Sequence, residues 1–77
     1  MDNLFVTSYL VIGFKDKTKH ATLNKEYKTE KRARNFINKA MENKEYELMV
    51  LRKEEKYIGN NENLEISTST PIETFTQ

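Results

Sequence analysis

Thr29-Glu30-Lys31-Arg32-Ala33-Arg34-Asn35-Phe36-Ile37-Asn38-Lys39-Ala40-Met41-Glu42-Asn43 is the stretch on which the fold turns. Its apolar residues Ala33, Phe36, Ile37, Ala40 and Met41 recur at helical spacing, as one buried stripe. Lys31, Asn35, Asn38 and Glu42 fall on the opposite side. Thr29 can cap the first turn with its hydroxyl, and Glu30 then sits where the helix dipole favours an anion. The spacing predicts a helix over residues 30–43, ending near Asn43-Lys44.

The sequence on either side reads as strand. Leu4 to Phe14 is an apolar-rich run, too short to span a bilayer, and only Asp2 carries charge before it. Even positions Leu4, Val6, Leu10, Ile12 and Phe14 form one apolar face, interrupted at Ser8; odd positions Phe5, Tyr9 and Val11 are also apolar. Such a strand belongs in the middle of a sheet. Asp16-Lys17 is a plausible turn centre, leading to a second strand over about Lys19–Leu23, with Ile12 opposite Ala21 and Leu10 opposite Leu23. After the helix, Tyr46 to Leu51 alternates as a further strand, with Met49 and Leu51 on one face. A turn is expected near Glu54-Glu55, a short strand over Lys56–Gly59, and an edge strand over Leu64–Ser67.

The order ββαββ predicts an α+β fold, a two-layer sandwich in which one helix packs on one face of a small antiparallel sheet. The domain is expected to span residues 1–67, with 68–77 a disordered Ser/Thr/Pro tail. One helix cannot cover both faces of the sheet. The face left open is expected to carry Phe5, Tyr9, Val11, Met49 and Leu51, which with Tyr57 are the candidate protein-interface residues.

The composition narrows the function classes. The 77 residues contain no Cys and no Trp, 2 Gly and 1 Pro. Disulfide scaffolds, thiolate metal sites and cysteine nucleophiles are therefore excluded. Formal net charge is only +1, but residues 15–39 carry a net +6 and residues 40–77 a net −4. The basic block supplies nucleic-acid-binding candidates: Lys15, Lys17, Lys19, Lys25, Lys28, Lys31, Arg32, Arg34 and Lys39, with Tyr27 as a stacking residue. Its charges surround the helix instead of forming one ridge, which favours the protein-binding reading.

Chemistry-bearing constellations are sparse. His20 is the single histidine, and a zinc site needs three or four ligands. The carboxylate pairs Glu45/Glu47 and Glu54/Glu55 read as solvated, and a chain this short leaves little room for a pocket. Gly13 and Gly59 are isolated, so there is no glycine-rich phosphate loop. Tyr9 and Tyr46 read as packing residues. Ile72 and Phe75 are the apolar anchors of the tail, should it act as a linear recognition segment.

In composition and element order the chain resembles small accessory proteins from phages of low-GC Gram-positive bacteria. That resemblance implies binding to, and inhibition or redirection of, a host macromolecule, and carries over no site residues. The expectation is a cytoplasmic, non-enzymatic protein-binding module, self-association included, with nucleic-acid binding through residues 15–39 as the alternative. No cofactor, metal, membrane or small-molecule substrate is expected.

Overall fold

The computed structural model describes residues 4–16, 20–58 and 65–77. Among these, β1 spans Leu4–Phe14, β2 Leu23–Tyr27, α1 Glu30–Glu42, β3 Leu48–Ile58 and β4 Glu65–Thr76. The strands form one antiparallel sheet in the order β2-β1-β3-β4, and α1 packs on β1, β2 and β3. The fold is the expected α+β arrangement, with β1 in the interior of the sheet.

The helix begins as its sequence dictates. Thr29 has extended backbone, and its Oγ1 accepts from the Arg32 N–H at 3.2 Å. At the other end Lys44 takes the left-handed conformation, φ 56°, and the Glu45 N–H bonds the Ala40 carbonyl at 3.0 Å. Thr29→Ala removes the cap acceptor and is expected to cost about 1 kcal/mol in a denaturant titration. A change below about 0.3 kcal/mol would show that the cap is dispensable.

Ala33, Ile37 and Ala40 are buried on α1, and they close on Val11, Met49 and Leu51 from the sheet; all six form the core. Tyr9, Leu23, Tyr27, Phe36, Met41, Tyr46, Ile72 and Phe75 pack around it. The sheet faces are therefore the reverse of the sequence expectation. Val11, Met49 and Leu51 are fully buried and Tyr9 packs against them, so these four are not open interface residues. The reason lies in the small residues of α1. Ala33 and Ala40 bring the helix close to the sheet, and the odd face receives it, where Gly13 leaves room for the Tyr46 ring.

Three further expectations are corrected. β2 pairs with Gly13 opposite Leu23 and Tyr9 opposite Tyr27, not Leu10 opposite Leu23. This register turns Leu23 and Tyr27 toward the helix, whereas the expected one would have reversed β2's faces. No turn interrupts Glu54-Glu55, because β3 runs unbroken to Ile58. Glu54 and Glu55 lie between polar neighbours, Ser8, Glu54 and Ser69 in one row and Thr7, Glu55 and Thr68 in the next. Finally, residues 68–76 are strand rather than loose tail. β4 pairs along β3 throughout, with a register shift at Leu51/Arg52 that sets Ile72 as an extra residue between Pro71 and Glu73. Ile72 and Phe75 are thereby packed on the core rather than presented as a linear segment. Gln77 ties the strand end down, its Nε2 donating to the Met41 carbonyl at 3.0 Å and the Tyr46 carbonyl at 3.1 Å.

Candidate functional site: the helix-free surfaces of the sheet

Alternation along the strands places every second residue on the side away from α1. On that side Ile12 lies opposite Val50 and Phe14 opposite Leu48, with Leu10 beside them. All five are half-buried by their neighbours, and none belongs to the core cluster. Among the described residues no element packs over them. Asn24 and Glu26 from β2, and Thr74 and Thr76 from β4, form the rim. Arg52 completes it, its Nε donating to Ser69 Oγ at 2.8 Å.

The helix is also shorter than the sheet. Thirteen residues of α-helix rise about 20 Å, and eleven of strand about 36 Å. Beyond the helix, Phe5, Tyr57 and Ile66 lie in one cross-strand row. Phe5 is 60% exposed and Ile66 50%, while Tyr57 between them is half-buried. Of the six expected interface residues, Phe5 and Tyr57 are thus at the surface. Leu10, Ile12, Phe14, Leu48 and Val50 are the apolar surface residues that sequence reasoning missed. Apolarity alone could not find them, because both faces of β1 are apolar.

A groove of about 750 Å³ follows the bare end of the sheet. This is more space than the little room expected of a chain this short. Its lining runs across β1, β3 and β4 and includes Thr7 and Glu55 from one face and Val6, Ser8, Lys56 and Ser67 from the other. Glu26 and Lys28 stand at one end, where Ser8 Oγ donates to Glu26 Oε2 at 3.1 Å.

The basic residues are dispersed. Arg34 Nε and Nη1 each lie 2.7 Å from a carboxylate oxygen, of Glu30 and Glu73 respectively. The hydrogen bonds it donates to Glu30 and then to Glu73 raise its pKa further, so Arg34 is cationic at any working pH, with its charge neutralised locally. Lys25 Nζ covers the Tyr27 and Phe36 rings at 5.4 and 5.2 Å, and Lys15 Nζ sits 5.7 Å from the Tyr46 ring centroid. Tyr27 packs against Phe36, ring centroids 5.9 Å apart, with the core beneath. Lys28, Lys31, Arg32 and Lys39 are exposed. Lys17 and Lys19 lie outside the described residues.

His20 is exposed. Among the described residues no group of three or more His, Asp or Glu side chains could hold a metal ion, and no helix is long and apolar enough to cross a membrane. No family model, curated protein or solved structure matches this chain.

Proposed function

We propose that this chain is a non-enzymatic protein-binding module that engages its partner through the helix-free face of the sheet. One observation carries the reading: Leu10, Ile12, Phe14, Leu48 and Val50 form an apolar centre with a polar rim, on a face that no described element covers. An apolar sheet face is stabilised by a packed second layer. On the other face that layer is α1. The partner chemistry that suits the open face is a second amphipathic helix, its apolar stripe over the Ile12–Val50 row and its polar flanks against Glu26 and Arg52. Such a helix needs only about three turns to cross the apolar rows. Occupying a partner's helix in this way would make the chain an inhibitor or regulator of that partner.

The alternative is a nucleic-acid contact through exposed Lys28, just before the helix, and exposed Arg32 and Lys39 on it. Nuclease-treated affinity capture from source cells, with three baits in parallel, separates the two. The wild type and a triple charge reversal at Lys28, Arg32 and Lys39 are expected to retain the same protein. Val50→Glu, a change on the open face, is expected to lose it. If Val50→Glu retains that protein, or if nuclease abolishes capture by every bait, the open-face reading is overturned.

A further inference from the structure

Among the described residues the sheet has an unfinished edge. β2 pairs with Tyr9–Gly13 of β1 and stops, so Leu4–Ser8 has β3 on one side and no described strand on the other. The direction of its backbone groups follows from two bonds. The Gly13 carbonyl accepts from the Thr22 N–H at 2.8 Å on the β2 side. The Phe14 carbonyl accepts from the Glu47 N–H at 2.9 Å on the β3 side. In an antiparallel strand successive residues direct their N–H and C=O groups to opposite neighbours. Through the unbroken register of β1, Phe5 and Thr7 therefore direct two donors and two acceptors at the vacant side.

Natural sheets guard such edges with lysine, proline, a bulge or a covering element. Leu4-Phe5-Val6-Thr7-Ser8 has no charged residue and no proline. It holds two large hydrophobics that are exposed among the described residues, Phe5 on one face and Val6, 43% exposed, on the other. β4 differs. By the same alternation Pro71 points its nitrogen outward, and the register shift lies beside it, so that edge is partly guarded.

We propose that the Leu4–Ser8 edge pairs with the same segment of a second copy of this chain, forming a two-fold dimer with a continuous sheet. Phe5 of each copy exchanges both backbone bonds with Thr7 of the other, and the two Val6 residues meet on the axis. The occupant is a second copy because the vacancy fits the segment itself. It is five residues long, and Tyr27 at the end of β2 stands where a longer or shifted strand would continue. An uncharged edge meets itself without like-charge repulsion. The Lys56 residues opposite Val6 in each copy would lie about three strand spacings apart, roughly 14 Å, beyond the screening length at physiological salt. Each Phe5 would lie diagonal to the other, within aromatic reach. The axis is perpendicular to the sheet, so both open faces stay on one side, and the dimer does not depend on the partner-binding reading above.

A five-residue pairing buries well under the roughly 800 Å² per partner of a standard stable interface. The dimer is accordingly weak and concentration-dependent. Sedimentation equilibrium of the full chain is expected to show a mass rising from 9.1 kDa toward twice that value between micromolar and millimolar concentration. Thr7→Pro deletes an outward N–H and leaves the β3 side paired; it is expected to weaken association at least about tenfold. Val6→Lys, at an exposed position, brings two ammonium groups to the axis and is expected to do the same, whether or not Thr7→Pro folds. Ser67→Pro, whose nitrogen points outward from β4, is expected to leave association unchanged. A wild type monomeric to millimolar concentration overturns the proposal. So does a dimer that survives Val6→Lys, or one lost in Ser67→Pro and retained in Val6→Lys.

Discussion

Leu51→Ala is expected to lower the unfolding free energy by about 2–5 kcal/mol, and Val50→Thr, one residue away, to change it by about 0.5 kcal/mol or less. Leu51 is fully buried with Val11, Met49 and Ile37, and truncation leaves a cavity that two backbone layers cannot close. Val50 faces away from the helix and is only half-buried. Threonine keeps its β-branched shape there, and water can hydrate the added hydroxyl. At roughly 0.05–0.15 kcal/mol per residue a domain of this size has about 4–12 kcal/mol in total. The Leu51 variant therefore loses a large share of its stability, and its melting temperature falls by roughly 10–30 °C. Urea and thermal unfolding of both variants measure the contrast. A silent Leu51→Ala beside a crippled Val50→Thr would mean that the helix covers the other face.

Gly13→Val is expected to be comparably damaging. A Cβ at residue 13 would stand 2.8 Å from Tyr46 Cδ1, 3.0 Å from its Cε1 and 3.2 Å from Leu23 Cβ. Relief requires the Tyr46 ring to leave its place on the core. The backbone beneath the ring is held by Gln77, which donates to the Tyr46 carbonyl. Replacing a strand glycine by alanine would otherwise gain about 0.5–1 kcal/mol from the unfolded chain. The clash opposes that gain, and overpacking of this kind costs about 1–3 kcal/mol, more for valine than for alanine. The double variant Gly13→Val with Tyr46→Ala removes the ring that the new side chain strikes. Its destabilisation is expected to fall at least about 0.5 kcal/mol below the sum of the single effects. Strict additivity in unfolding titrations would show that Tyr46 is not the obstacle.

The elements were legible where the signal is local. Thr29, Glu30 and the Ala33–Met41 stripe placed α1 within a residue of its observed ends. The apolar run Leu4–Phe14 identified an interior strand. Elements whose signal is not local were misread. Thr68–Thr76 has the composition of a loose tail, yet its threonines, Ile72 and Phe75 become a strand because β3 offers a pairing partner along its whole length. The charged run Arg52–Lys56 suggested a turn, but a strand beyond the reach of the helix has no core face to satisfy, so charge does not exclude it. The interface candidates failed by one register position. Phe5 and Tyr57 reached the surface only because the sheet outruns the helix. Val11, Met49 and Leu51 became core, and their sequence neighbours Leu10, Ile12, Leu48 and Val50 became the candidate site.

The amino-acid order by itself determined the α+β class, the helix with its cap, and an interior strand apolar on both sides. These follow from periodicity and capping, which act within a few residues. The tertiary structure decided which side of that strand meets the helix. Both sides are hydrophobic, so burial energy alone does not choose between them. The choice rests on shape: two alanines on α1, a glycine in β1 and a tyrosine ring that fits over it, brought together from distant parts of the chain. It also decides the surface, because whichever side the helix leaves uncovered is the one presented to a partner.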